Sequence, residues 1–174
     1  QGVSSAASDV YKRQDYGQSR LYPAAHAVPD LDALIIEATN GIASVAPRRE
    51  LEDKLLNEII DGVDQDKTVV VPVLAAGRAQ EVLTLLKQNY PLFKERRVPV
   101  FVDGRSILFA NAAFSYLAKA YPQTFRAEAV EERGWQTGMD EDMRQLLPDV
   151  KPKMMLDPGP KVVVVSGGMG VGPA

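Results

Sequence analysis

Apolar residues in this chain fall into short unbroken runs, separated by longer stretches in which they recur every three or four positions. The two patterns alternate. The runs are LDALIIEAT (residues 31–39), TVVVPVL (68–74), VPVFVDG (98–104) and KVVVVS (161–166), most of them rich in β-branched side chains. Runs of this length without polar alternation predict strands buried on both faces. Between them, RRELEDKLLNEIIDGV sets Leu51, Leu55, Leu56, Ile59 and Val63 at helical spacing behind Pro47, a residue suited to a helix start. AQEVLTLLKQNY places Val82, Leu85 and Leu86 on one helical face. SILFANAAFSYLAKAY (106–121) is apolar nearly all round, which predicts a buried helix with Phe109, Phe114 and Tyr116 in packing roles, like Phe101 on the strand before it. Residues 124–160 are charged and proline-rich, with one short helical candidate over 140–147. Strands alternating with helices predict βαβ units, hence the α/β class with a mostly parallel sheet flanked by helices.

The two ends break this pattern. QGVSSAASDVYKRQ has no apolar period, and its DVYKRQ block matches the translation of a transposon end used to prepare sequencing libraries. Residues 1–14 are therefore expected to be a scar or tail outside the fold. GGMGVGPA (167–174) is a glycine loop directly after a strand, where a helix ordinarily comes next, so the chain reads as cut at both ends.

Composition narrows the classes. The 174 residues, 45% hydrophobic and 25% charged, suit one domain or two partial ones with a core that needs no staples. Absence of cysteine excludes disulfides and thiolate metal sites and permits a reducing, cytoplasmic setting. The longest apolar run, VVVPVLAA, is far short of the about 20 residues a membrane helix needs, so no membrane partner is expected. A net charge of −3 provides no global attraction for nucleic acid, which would have to be held by a local patch. The single histidine, His26, nearly forbids a self-contained histidine-ligated metal centre and reads as a turn or surface residue. Trp135, beside Gly134, reads as an anchor for the irregular segment, and the acidic residues from 128 to 142 as solvated surface.

Candidate chemistry concentrates just after the strands, where ligands of open α/β sheets gather. Those positions carry EATNG (37–41), AAGRAQE (75–81), DGR (103–105) and SGGMG (166–170). Glycine lets a backbone N–H approach a phosphate, a helix start next to it adds positive potential, and arginine forks onto phosphate oxygens. The edge suits an anionic backbone; ordinary turn chemistry is the competing explanation.

Taken in order, these segments resemble one family. EATNG looks like its E-A/S-T-Y-G element, and VPVLAAGRAQEVLTLL resembles P-x-F/L-A-x-G-R-A-Q-E-L/V. VVVVSGGMGVGPA resembles a strand and the S-x-G-M-x-x-G-P loop after it, and DYGQSRLYPAAH resembles the stretch beyond the glycine of a T-G-D segment. Over residues 15–174 the chain is thus similar to the β-CASP metallo-β-lactamase RNA-processing nucleases. The resemblance implies an αββα metallo-β-lactamase core carrying an inserted α/β domain, with RNA cut between them by two zinc ions. Residues 15–45 would be a remnant of the core and residues 46–174 a β-CASP domain truncated at its C-terminus. Asp15 matches the aspartate that bridges both metals, and Glu37 an acid near the metal site, so both are candidate catalytic residues. Arg78 with Ser166, Gly167, Gly168 and Gly170 would line the RNA wall.

The family's H-x-H-x-D-H cluster would precede residue 15, and its two later histidine motifs would lie beyond residue 174. The expectation is therefore a piece of a zinc-dependent ribonuclease, inactive as this isolated chain, from a cytoplasmic parent for which a homodimer is one possible assembly. Asn40 replaces the tyrosine of the first motif, and Val45 falls near a frequent histidine, which leaves open a non-catalytic RNA-binding scaffold. A third reading takes Gly168-x-Gly170-x-x-Pro173 as the nicotinamide turn of a flavin reductase. It lacks the R-x-Y-S/T element, since RLYP has Pro23 where the hydroxyl should be.

Overall fold

The computed structural model describes residues 19–23, 46–137, 143–145 and 158–166. In chain order the elements are α1 (Arg48–Asp64), β1 (Thr68–Val73), α2 (Arg78–Gln88), α3 (Tyr90–Glu95), β2 (Val100–Asp103), α4 (Arg105–Ala120), a 3-10 turn (Pro122–Thr124), α5 (Ala127–Glu132), β3 (Met143–Gln145) and β4 (Lys161–Ser166). The most uniformly β-branched run takes the interior of the sheet, whose order is β1-β4-β2-β3 with every pair parallel. This is the expected α/β architecture, a parallel sheet flanked by helices. The candidate strand at residues 31–39 lies outside the described residues.

Register decides which side chains share a face. Val71 pairs with Val164, and Val164 with Val102, so these valines point the same way as Val73, Val100 and Val162. Against them pack Leu56, Ile59 and Val63 of α1, Leu83 and Leu86 of α2, and Phe93 of α3, forming the main core. Phe101, Val163 and Val165 occupy the opposite face. Pro72, which cannot donate to a ladder, sits on the edge strand β1, where the loss is tolerated. A second core joins Leu21 to Phe114 and Ala118 of α4, Phe125, Ala129 and Trp135. Its aromatic rings lie 5.6–6.4 Å apart, Tyr22 included.

Four expectations need correction. The helical candidate at residues 140–147 instead contributes strand β3, because Met143 supplies an apolar residue against Val100 at an otherwise open sheet edge. The nearby helix is α5, earlier in the chain. α4 is not buried all round: Ile107, Asn111, Phe114 and Ala118 face inward, while Phe109 and Tyr116 are 71% and 67% exposed. Helical geometry puts positions 109 and 116 on the opposite side from 107, 114 and 118. Leu51 stands on the outer face of α1, and β1 leaves Val70 exposed, so burial on both faces fails at that edge. Trp135 is fully buried, the anchor expected of it. Gly134 beside it has no room for a side chain, since a Cβ would lie 2.3 Å from Cα of Thr84 on α2.

Candidate nucleic-acid interface

The turn after β1 is built by a side chain in the middle of the motif. Gln80, fully buried at the start of α2, accepts a hydrogen bond from the Gly77 N–H (2.7 Å) and donates through Nε2 to the Ala75 carbonyl (3.1 Å). The same Nε2 donates to Oδ1 of Asn111 on α4 (2.8 Å). Gly77 takes φ +82, a conformation that favours glycine. The Ala79 N–H closes the turn onto the Leu74 carbonyl at 3.0 Å. Gln80 therefore fixes the loop that ends in Arg78, an exposed first residue of α2.

Strand order brings the other edge segments to this turn. β4 lies between β1 and β2, with Val73 opposite Ser166 and Asp103 opposite Val165. The carboxyl ends of three strands thus converge, and with them Arg78, the Asp103-Gly104-Arg105 turn and Ser166. Gly104, at φ +116, gives Ser166 its space: a Cβ there would meet Ser166 Oγ at 2.0 Å. Gly167, Gly168 and Gly170 lie outside the described residues, as do Asp15, Glu37 and His26.

Beside the turn, a second polar assembly was not read from the sequence at all. Glu81, 7% exposed, accepts from Arg48 Nη2 at 2.5 Å, from the Arg20 N–H at 3.1 Å and from the Ser19 hydroxyl. Glu52 takes Arg20 through Nε (2.8 Å) and Nη2 (2.6 Å), and Arg48 through Nε (2.7 Å). Arg20 also donates to Gln88, which donates to Glu132 at 2.5 Å. Burial pushes the Glu52 carboxyl up, but the hydrogen bonds and charges of Arg20 and Arg48 outweigh this and hold it below the usual carboxylate range. The hydrogen bond to Glu52 holds Arg20 above its ordinary value, and burial, with Glu81 adding to it, pushes the Tyr22 phenol up. The usable signal was polar density: GRAQE sets a glutamine and a glutamate directly before the largely apolar VLTLL stretch, and once buried they needed partners. Apart from the loop contacts of Gln80, these partners lie 33, 61 and 62 positions earlier and 31 later, distances that no local pattern encodes.

Among the described residues, no three histidine, aspartate or glutamate side chains converge as metal ligands. Those side chains do not form a two-zinc site. Nor is any described helix long and apolar enough to cross a membrane.

No protein-family model matches the chain. It is 39% identical over 105 residues to an RNase J-like protein of Methanocaldococcus jannaschii, covering 58% of this chain and 25% of that protein. It is 31% identical over 139 residues to the endoribonuclease ysh1 of Schizosaccharomyces pombe, covering 79% and 18% respectively. It is 28% identical over 155 residues to the transcription termination factor FttA of Pyrococcus horikoshii, covering 87% and 23%. The chain spans a quarter or less of the length of these relatives. With the ordered motifs and the parallel sheet, these similarities identify the chain as a member of the β-CASP metallo-β-lactamase-fold RNA nucleases.

Proposed function

We propose that the protein carrying this chain hydrolyses RNA phosphodiester bonds in RNA processing or decay, and that the carboxyl edge of this sheet forms one wall of its RNA cleft. The observation that carries the reading is the convergence of the GRAQE turn, Gly104 and Ser166 on one edge, in a chain whose relatives include an endoribonuclease. In this reading Arg78 and Ser166, with Gly167, Gly168 and Gly170, donate to phosphate oxygens. Asp15, a carboxylate of the kind that ligates zinc, would help to hold the metal, which would activate water and stabilise charge at the scissile phosphate, and Glu37 would be an acid near that site. Residues 15–45 then belong to the nuclease core and residues 46–174 to the inserted domain. The protein works in the cytoplasm, and a homodimer is compatible with it.

With one histidine, the chain by itself lacks the nitrogen ligands for two zincs and is expected to cleave no RNA. Tight stoichiometric zinc binding with metal-dependent cleavage by the isolated chain would overturn that. For the wall, Arg78→Ala in the full-length protein should weaken binding of all RNA sequences alike and lower the salt slope by about 0.7. Loss of stability with an unchanged slope would reassign Arg78 to shaping the loop. A second reading, a non-catalytic RNA-binding scaffold, is favoured by Asn40 and Val45 at positions where the family pattern carries Tyr and often His. Upstream sequence containing H-x-H-x-D-H would exclude it.

A further inference from the structure

A groove of about 630 Å³ opens where the start of α1, the far half of α2 and residues 19–23 meet. Its charged lining is Arg20, Arg48, Arg49 and Arg126 against Glu52 and Asp53. Four arginines and two acids line it, and Glu81 behind them takes Arg48 as well, which leaves an excess of one positive charge in a chain whose net charge is −3.

The four arginines are not equivalent. Arg20 and Arg48 are committed to Glu52, and Arg48 also to Glu81, so their guanidiniums are held in place. Arg49 and Arg126 are exposed and have no side-chain hydrogen bond or ion pair among the described residues. No contact among the described residues therefore requires a cation at either position. With Arg20 and Arg48 compensated by Glu52 and Glu81, Arg49 and Arg126 are the guanidiniums of the groove left for an incoming anion. A guanidinium fork matches phosphate oxygens in pairs, which makes arginine the side chain of choice for that task.

Location selects the anion. α1 packs on the sheet and turns through residues 65–67 into β1, so it runs antiparallel to that strand and starts near the carboxyl edge. There Arg48 reaches Glu81, three positions beyond Arg78. The groove's wall on α2 starts at Leu85, about two turns beyond Arg78, and reaches Asn89 just past the helix end, while Arg48 at its other side ties it to Glu81. We infer that it is a second RNA-backbone contact, which takes phosphates on Arg49 and Arg126 and continues the path of a strand crossing the Arg78 wall. The inference rests on the RNA reading above and assigns this groove independently of sequence-specific readout.

The test uses the whole chain, a short fluorescein-labelled single-stranded RNA and anisotropy across a series of KCl concentrations. Replacing both arginines, Arg49→Gln with Arg126→Gln, should lower the salt slope by about 1.4, two contacts at about 0.7 each. The thermal midpoint should not move, and Arg49→Lys with Arg126→Lys, which keeps the charge, should retain the slope. An unchanged slope in the glutamine pair, while Arg78→Ala lowers it, overturns the groove and leaves the wall standing. A wild-type chain that binds no RNA overturns both. Displacement of the RNA by polyglutamate as effectively as by unlabelled RNA of equal charge overturns the RNA assignment in favour of an acidic protein segment.

Discussion

Glu52 holds two arginines with one carboxylate, and that economy makes it a pH-sensitive residue. Its folded pKa lies below the unfolded value, because the hydrogen bonds from Arg20 and Arg48 exceed the cost of burial. Its contribution to stability is therefore fully present above the unfolded value of about 4.3 and is lost as pH falls through the lower folded value. Urea midpoints taken from about pH 6 down to about pH 3 should fall in the wild type, and Glu52→Gln should show a shallower fall over the acid part of that range. Equal acid slopes in the two proteins would mean that the pair is screened at the surface. Gly134 illustrates the opposite case at this scale, a residue chosen for what it lacks, because a Cβ would collide with the backbone of α2 and displace Trp135 from its ring cluster.

α4 shows how an element can be read correctly as a helix and wrongly as buried. Its composition is apolar on every side, yet the fold uses only the stripe of Ile107, Asn111, Phe114 and Ala118. Phe109 and Phe114, alike in sequence, should then behave differently. Phe114→Ala removes a ring packed against Phe125 and Trp135 at 5.8 Å and should cost about 3–5 kcal/mol. Phe109→Ala, at a position 71% exposed, should change stability by no more than about 0.5 kcal/mol. Chemical denaturation of both variants checks this, and similar losses at the two sites would show that the outer face of α4 is packed after all. β3 makes the complementary point: a stretch with weak helical spacing became a strand because the edge beside β2 offered it a ladder.

Across the whole molecule, Glu81 is the residue that ties distant segments together. It joins the Ser19-Arg20 segment to α1 through Arg48 and both to α2, while Leu21 enters the aromatic core and accepts the Arg126 N–H at 2.8 Å. Glu81→Gln keeps the shape but removes the charge that Arg48 needs, and should cost about 2–3 kcal/mol in urea unfolding. Loosening should be greatest in residues 19–23, seen as faster amide exchange at Arg20, whose N–H would be left with at best a neutral amide oxygen in place of a carboxylate. Unchanged exchange at Arg20 would mean that Leu21 alone holds the segment.

What the chain determined locally is the set of elements with strong periodicity. The runs at Thr68–Val73 and Lys161–Ser166, the helix Arg48–Asp64 and the parallel α/β class arise from β-branched runs alternating with helical spacing, because a short apolar run and a 3.6-residue period are each properties of neighbouring residues. The importance of GRAQE was legible in the same way, although its buried glutamine and glutamate, rather than its arginine, turn out to hold the loop. Only the tertiary structure decided that β4 would slip between β1 and β2, that Met143 would complete the edge, and that one side of α4 would face outward. It also assembled the arginine groove from residues 20, 48, 49 and 126. Each of these depends on pairing between segments far apart in the chain, and the energy of such pairing resides in shared burial and charge compensation that no single segment carries.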